Sequence, residues 1–190
     1  WILTQFAVTT GSHECFAVST TPDPTGTYYL YGYNIGGFPD YPKISVWPDA
    51  YYATYRNFGD TFDMQASAVN RAKMLVGDPS AELIIASITD AMPVNVDGFL
   101  PVDLDGTSTP PSAPGMFIGF VDGFSEPDDD RLAMFEMDVN WANIGNSTFT
   151  GPFYLQVAPF DSDLCGGQRS CIPQPDTSVG LDSIENATMF

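Results

Sequence analysis

Nowhere in the sequence do apolar residues recur at helical spacing over about ten residues. Short β-forming runs closed by turn residues recur from end to end instead. The clearest unit is Asp40–Phe58, DYPKISVWPDAYYATYRNF: a small apolar run at Ile44–Trp47, a turn at Pro48-Asp49, and an aromatic, alternating run at Tyr51–Phe58. A chain written this way is all-β, and its architecture depends on how the runs group.

They group by position. Trp1–Val8, His13–Thr20 and Thr27–Asn34 read as three strands, separated by Thr-Thr-Gly-Ser and by the Pro/Asp/Gly-rich loop Thr21–Gly26. Gly36-Gly37 and Pro39 then break the chain. After the two strands of the central unit come Met64–Asn70, then Arg71–Val76, which extends it as a helical turn or a strand end and is read as an irregular end, and Ala81–Ile88, a continuous apolar run suited to burial on both faces. Phe99–Leu104, Met116–Val121, Leu132–Trp141 and Phe153–Phe160 follow, with the low-complexity loop Thr107–Pro114 among them. In Leu132–Trp141 the alternation is cleanest: Ala133, Phe135, Met137, Val139 and Trp141 share one face, and Glu136, Asp138 and Asn140 the other.

Four strands thus fall between Lys43 and Ile88 and four more between Phe99 and Phe160, flanked by a set of three and by the start of another at Val179–Phe190. The expected fold is a β-propeller-like array of four-stranded antiparallel blades. It is incomplete: a partial blade at 1–35, blades at 43–88 and 98–160, and the start of a further one at 178–190. A blade buries its faces only against neighbouring blades, so an open array leaves apolar surface at both ends.

The 190 residues carry 24 Asp and Glu against 6 Lys and Arg, a net charge of −18. Phosphate backbones and anionic membranes bind by exchanging counterions for Lys and Arg, so nucleic acid is excluded as a partner class. The acidity fits a soluble extracellular protein, a saline habitat or Ca²⁺ sites, and in its plainest form a solvated surface. No apolar run reaches the ~20 residues of a membrane-spanning helix. Trp1 opens directly on a strand without a basic, apolar leader, as in a mature or trimmed product. Cys165 and Cys171 enclose Gly-Gly-Gln-Arg-Ser, a segment able to fold back into a disulfide loop and suited to an oxidising compartment; two free surface thiols are the alternative. Cys15, in Cys15-Phe16-Ala17-Val18, reads as a buried small hydrophobe. Asn146-Ser147-Thr148 and Asn186-Ala187-Thr188 are glycosylation sequons only in a host that glycosylates.

WILTQFAV, CFAVST, DPTGTYYLY, DYPKISVWPDAYYATY, NRAKML and CIPQPDTSVGLDS together resemble a group of large secreted bacterial proteins with a β-propeller-like region. The resemblance spans nearly the whole chain and is most specific in DYPK…VWPDAYY. Members carry an Asp-Arg pair ahead of the first of these strands and continue beyond Leu-Asp-Ser with further blades. This chain begins at Trp1, has Glu185-Asn186-Ala187 where a basic segment is expected, and stops early. The resemblance therefore implies a fragment of a longer secreted or cell-surface protein. It carries no established activity and no catalytic residues.

Candidate sites each have a plainer reading. Asp40 and Lys43 flank the entry to an inner strand, where a propeller faces its central channel; the plainer role is an ion pair fixing that entry. Tyr51, Tyr52 and Tyr55 offer ring faces for stacking on a sugar; tyrosines in strands more often pack. Asp103 and Asp105, in Asp103-Leu104-Asp105-Gly106, have the spacing that brings two carboxylates to one Ca²⁺; the plainer role is an acidic turn. Asp128, Asp129 and Asp130 read as a solvated tip. No sialidase-type Ser-x-Asp-x-Gly-x-x-Trp box occurs, Arg56, Arg71, Arg131 and Arg169 are scattered, and His13 is not set beside a nucleophile, so no catalytic residue is assigned. The expected function is a secreted, non-catalytic structural or binding module with no required cofactor. Its partners are other segments of the same longer protein, assembly subunits or glycans. A carbohydrate-active hydrolase using paired carboxylates and a Ca²⁺-dependent adhesion module are the competing expectations.

Overall fold

The computed structural model describes residues 1–8, 12–91, 98–104, 113–123, 130–163, 165–166, 168 and 170–182. The chain is all-β, built from separate antiparallel sheets laid down in sequence order. The first sheet holds β1 (Ile2–Ala7), β2 (His13–Ser19) and β3 (Tyr28–Asn34), in that order. The second is four-stranded: β4 (Phe38–Val46), β5 (Ala50–Phe58), β6 (Phe62–Asn70) and β7 (Leu83–Ser87). Two short helices, α1 (Arg71–Met74) and α2 (Ile88–Ala91), flank β7. The third sheet, also four-stranded, runs from β8 (Leu100–Pro101) through β9 (Gly115–Val121) and β10 (Arg131–Asp138) to β11 (Thr148–Gln156). A last pair is formed by β12 (Ser170–Ile172) and β13 (Leu181–Asp182), and the Cys165–Cys171 disulfide, whose Cα atoms are 5.5 Å apart, ties β12 to the segment before it.

Side-chain alternation turns these sheets into a stack. Along β5 the even positions Ala50 and Tyr52 join Met64, Ala66 and Ala68 of β6 in a cluster with Phe117 of β9 and Ala133, Phe135 and Met137 of β10. The odd positions Tyr51, Ala53 and Tyr55 join Val69 in a second cluster with Phe16 and Val18 of β2. The central strands of the second sheet, β5 and β6, are thus buried on both faces, between the first sheet and the third. Each large side chain so buried contributes roughly 1.5–3 kcal/mol.

The observed strands also correct the sequence reading. β4 begins at Phe38, ahead of the expected Ile44, and includes Pro39. β11 begins at Thr148 and includes Pro152, and β8 keeps only two residues, one of them Pro101. All three are edge strands, where a missing N–H leaves no ladder bond unmade. β7, expected to be buried on both faces, is likewise an edge and is half-buried with Ile85 exposed; the doubly buried strands are the central β5 and β6. Arg71–Met74, read as an irregular end, is a helical turn. It is capped by Asn70, whose Oδ1 accepts from the Lys73 N–H at 3.2 Å and whose amide donates to Glu82 Oε2 at 2.9 Å. Ser170–Ile172, left inside the cysteine loop, is a short strand. Cys15 is only half-buried, because it points to the outer face of the first sheet while Phe16 and Val18 point inward.

Asp130 is the clearest correction. The expected solvated tip ends in a fully buried carboxylate that accepts from the Gly123 and Phe160 backbone N–H groups, each at 2.7 Å. Its carbonyl accepts from Gln156 Nε2 and the Val157 N–H. It ties the start of β10 to the strand end that follows β11. Asp128 and Asp129 lie outside the described residues.

Among the described residues no helix is long and apolar enough to cross a membrane.

Candidate functional site

The first strands of the second and third sheets, β4 and β8, run beside each other and leave an open cleft of about 530 Å³. Its walls are Lys43, Ile44, Leu100, Pro101, Val102 and Asp103, with Ile118 behind them. The size is that of a small-molecule site, and among the described residues the composition is an apolar floor with one ammonium and one carboxylate.

Local backbone geometry sets Lys43 in place. The pairing of β4 with β5 slips between Asp40 and Lys43, and Tyr41 sits in the left-handed region at φ 56°. A bulge of this kind adds a residue to one strand and re-aims the side chains around it. The Tyr41 ring swings out to carry two cations, with Lys43 Nζ 4.2 Å and Arg56 Cζ 5.9 Å from its centroid. Arg71 lies over Tyr51 and Arg131 over Tyr154 in the same manner. In a strongly acidic chain, much of the positive charge rests on tyrosine rings.

Asp103 closes the other side of the cleft. Its Oδ1 accepts from the Val46 N–H at 3.0 Å, and the Trp47 indole N–H donates to the Val102 carbonyl at 2.6 Å. Thr54 Oγ1 donates to the Phe99 carbonyl at 2.6 Å, and the Trp141 indole to the Asp49 carbonyl at 2.9 Å. These bonds fix the third sheet against the second, so the cleft has rigid walls. The Asp103 oxygen proposed from sequence for a cation is therefore engaged in holding β8 to β4. Asp105 lies outside the described residues. Among the described residues no three His, Cys, Asp or Glu side chains converge as a metal site.

The sequence-derived residues separate cleanly. Lys43 and Asp103 both line the cleft, and Asp40 precedes the bulge opposite Arg56. Tyr51 and Tyr52 do not belong to it. They point to opposite faces of β5, both buried, and neither ring has a free face for a sugar. The Tyr52 hydroxyl is hydrogen-bonded to Asp49 Oδ2 at 3.2 Å, and burial pushes its pKa up.

Sequence reasoning missed a buried polar nest between the first and second sheets. Glu14 is fully buried, and neither carboxyl oxygen has a partner of good hydrogen-bond geometry. Burial pushes its pKa up to about 7, and the nearby Thr4 hydroxyl offsets only part of that. Tyr55 and Tyr33 face the same space, their pKa values also raised by burial. Ser67 Oγ donates to the Tyr55 hydroxyl at 3.1 Å, and buried Gln65 and Asn57 each leave an amide oxygen unpaired. A signal was present: in His13–Ser19 the inward set is Glu14, Phe16 and Val18, which puts an acid on an apolar face.

Compared with known proteins, the chain matches no family model, no curated protein and no solved structure. What the coordinates define is a class: an all-β stack of three- and four-stranded antiparallel sheets, with a cleft between the first strands of two of them.

Proposed function

We propose that this chain is a non-catalytic structural or binding module of a larger secreted or cell-surface assembly, with its four-stranded sheets stacked in the manner of β-propeller blades. The observation that carries the reading is the contrast between the inner and outer faces of the stack. The central strands of the second sheet have both faces buried, whereas the first and third sheets each leave one apolar face open, with Leu30 78% and Leu155 53% exposed. A solvated protein rarely leaves contiguous apolar surface uncovered without a partner for it. The Cys165–Cys171 disulfide suits an oxidising, extracellular compartment. The cleft at Lys43 and Asp103 is the place where such a module would hold a small ligand: an apolar body on Ile44 and Pro101, with an anionic group at Lys43.

A glycan array combined with a reducing-sugar release assay tests the reading. The expected outcome is no sugar release above buffer, with any array binding weakened by Lys43→Ala. Sugar release abolished by a single carboxylate substitution would replace the module with a hydrolase.

A further inference from the structure

The two open faces differ in shape. The outer face of the first sheet is a trough of about 680 Å³: Cys15, Ala17 and Gly32 form a floor of small residues, and Leu3 and Leu30 stand at its sides. By register, the outward positions of β1, β2 and β3 include no Asp, Glu, Lys or Arg. The outer face of the third sheet is a ridge. Met116, Ile118, Leu132, Met134, Phe153 and Leu155 line up on it through the pairings Leu132–Leu155, Met134–Phe153 and Met134–Ile118, and the acids Glu136 and Asp138 follow at one end of β10. At one margin Phe160 covers Phe120, edge to face at 5.5 Å.

We propose that trough and ridge are the two halves of one joint, and that the partner on each open face is a second copy of this chain, docked head to tail. The inference rests on the module reading above and names the occupant of its open faces. Three observations select that occupant. The joint between the second and third sheets already seats bulky Phe117 and Phe135 on a floor of Ala50, Ala66 and Ala68, so the fold itself packs a ridge on small residues. Trough on trough or ridge on ridge would leave voids or collide, which rules out a symmetric dimer through one face. Finally, a chain with net charge −18 repels its own copies least where acids are absent, and the trough and the end of the ridge formed by Leu132, Met134, Phe153 and Leu155 are such places. A head-to-tail contact of this kind propagates into a ring or a filament.

Sedimentation velocity over a concentration series tests this with Leu30→Asp in the trough and Phe153→Asp on the ridge. Both sites are exposed in the single chain, and circular dichroism checks that each variant folds. The parent chain is expected to self-associate. Each variant alone is expected to lose association by roughly tenfold or more, because docking would bury an unpaired carboxylate. The equimolar mixture is expected to form dimers and nothing larger, since each variant retains the half the other lacks. A parent chain that stays monomeric at every concentration overturns the proposal, as does a mixture no more associated than its components. A monomer that releases no sugar rejects this inference alone, whereas sugar release rejects the module reading whatever the mass.

Discussion

The two joints inside the stack are built from different chemistry. Between the second and third sheets the packing is aromatic and dry. Tyr52 meets Phe117 edge to face at 5.8 Å, Phe99 meets Phe135 at 5.6 Å, and Phe135 stacks on Phe149 at 5.0 Å. Side-chain donors such as Trp47 and Thr54 reach across to backbone carbonyls of the other sheet. Between the first and second sheets the packing is laced with polar groups. The Tyr33 and Tyr31 hydroxyls donate to the carbonyls of Ala81 and Met74, at 3.0 and 3.3 Å, and the Glu14 carboxyl lies buried with no hydrogen bond of good geometry. A dry joint draws its stability from area and shape and is indifferent to pH. A joint holding a lone carboxyl is tied to the protonation of that group. The first sheet should therefore be the part whose attachment responds to conditions, and the third the part that does not.

The largest expected effect breaks the dry joint. Phe135→Ala removes a ring packed among Phe99, Phe149 and Met137 and should cost about 3–5 kcal/mol in urea unfolding. An equal loss at low and high pH would sharpen the contrast. Gly115→Ala attacks the same joint by crowding. An added Cβ would lie 2.2 Å from the buried Tyr52 ring, which has no room to retreat, and a loss of about 1–3 kcal/mol is expected.

Glu14 tests the polar joint. Its folded pKa, about 7, lies above the ordinary 4.5, so the folded state holds the proton more tightly. Below about pH 4.5 the carboxyl is protonated in both states and the joint is at full strength. From there to about pH 7 only the unfolded state ionises, and stability falls as pH rises; above that range the loss is complete. Glu14→Gln should flatten this segment of the Tm–pH curve and raise Tm at alkaline pH relative to the parent. Parallel curves for the two proteins would contradict the assignment. The smallest effect is that of Tyr33→Phe, which deletes the hydroxyl bonded to Ala81 and should cost roughly 0.5–1.5 kcal/mol, read in the same denaturant series.

Much of this organisation was legible in the residues. Alternation in Leu132–Trp141 gave the inward set Ala133, Phe135 and Met137, because a strand with one covered face must write that face every second residue. The grouping into sets of three and four strands followed from turn chemistry at positions such as Pro48-Asp49 and Gly59-Asp60, and the Cys165–Cys171 loop from its spacing. What stayed hidden depends on neighbours distant in sequence. Tyr51 and Tyr52 read as available rings, yet each faces a different sheet, and only the stack shows that both faces of β5 are covered. Proline-bearing β4 looked broken at Pro39 because edge position is a property of the sheet and not of the strand. Asp130 belonged to an acidic run whose composition says solvent, while its two backbone donors come from segments before and after it. Of the candidate site, Lys43 and Asp103 were legible singly, but their place in one cleft depends on β4 and β8 lying side by side.

The central claim is that the second sheet is the doubly covered middle of a stack. Native-state hydrogen exchange resolved to individual amides tests it most directly by comparing the central strands of the three sheets. β5 is paired on both sides and buried on both faces, whereas β2 and β10 are paired on both sides and buried fully on one. The Ala50–Phe58 amides should exchange last, through global unfolding alone. A β5 that exchanges as fast as β2 or β10 would mean that the faces assigned to it as dry are open to water.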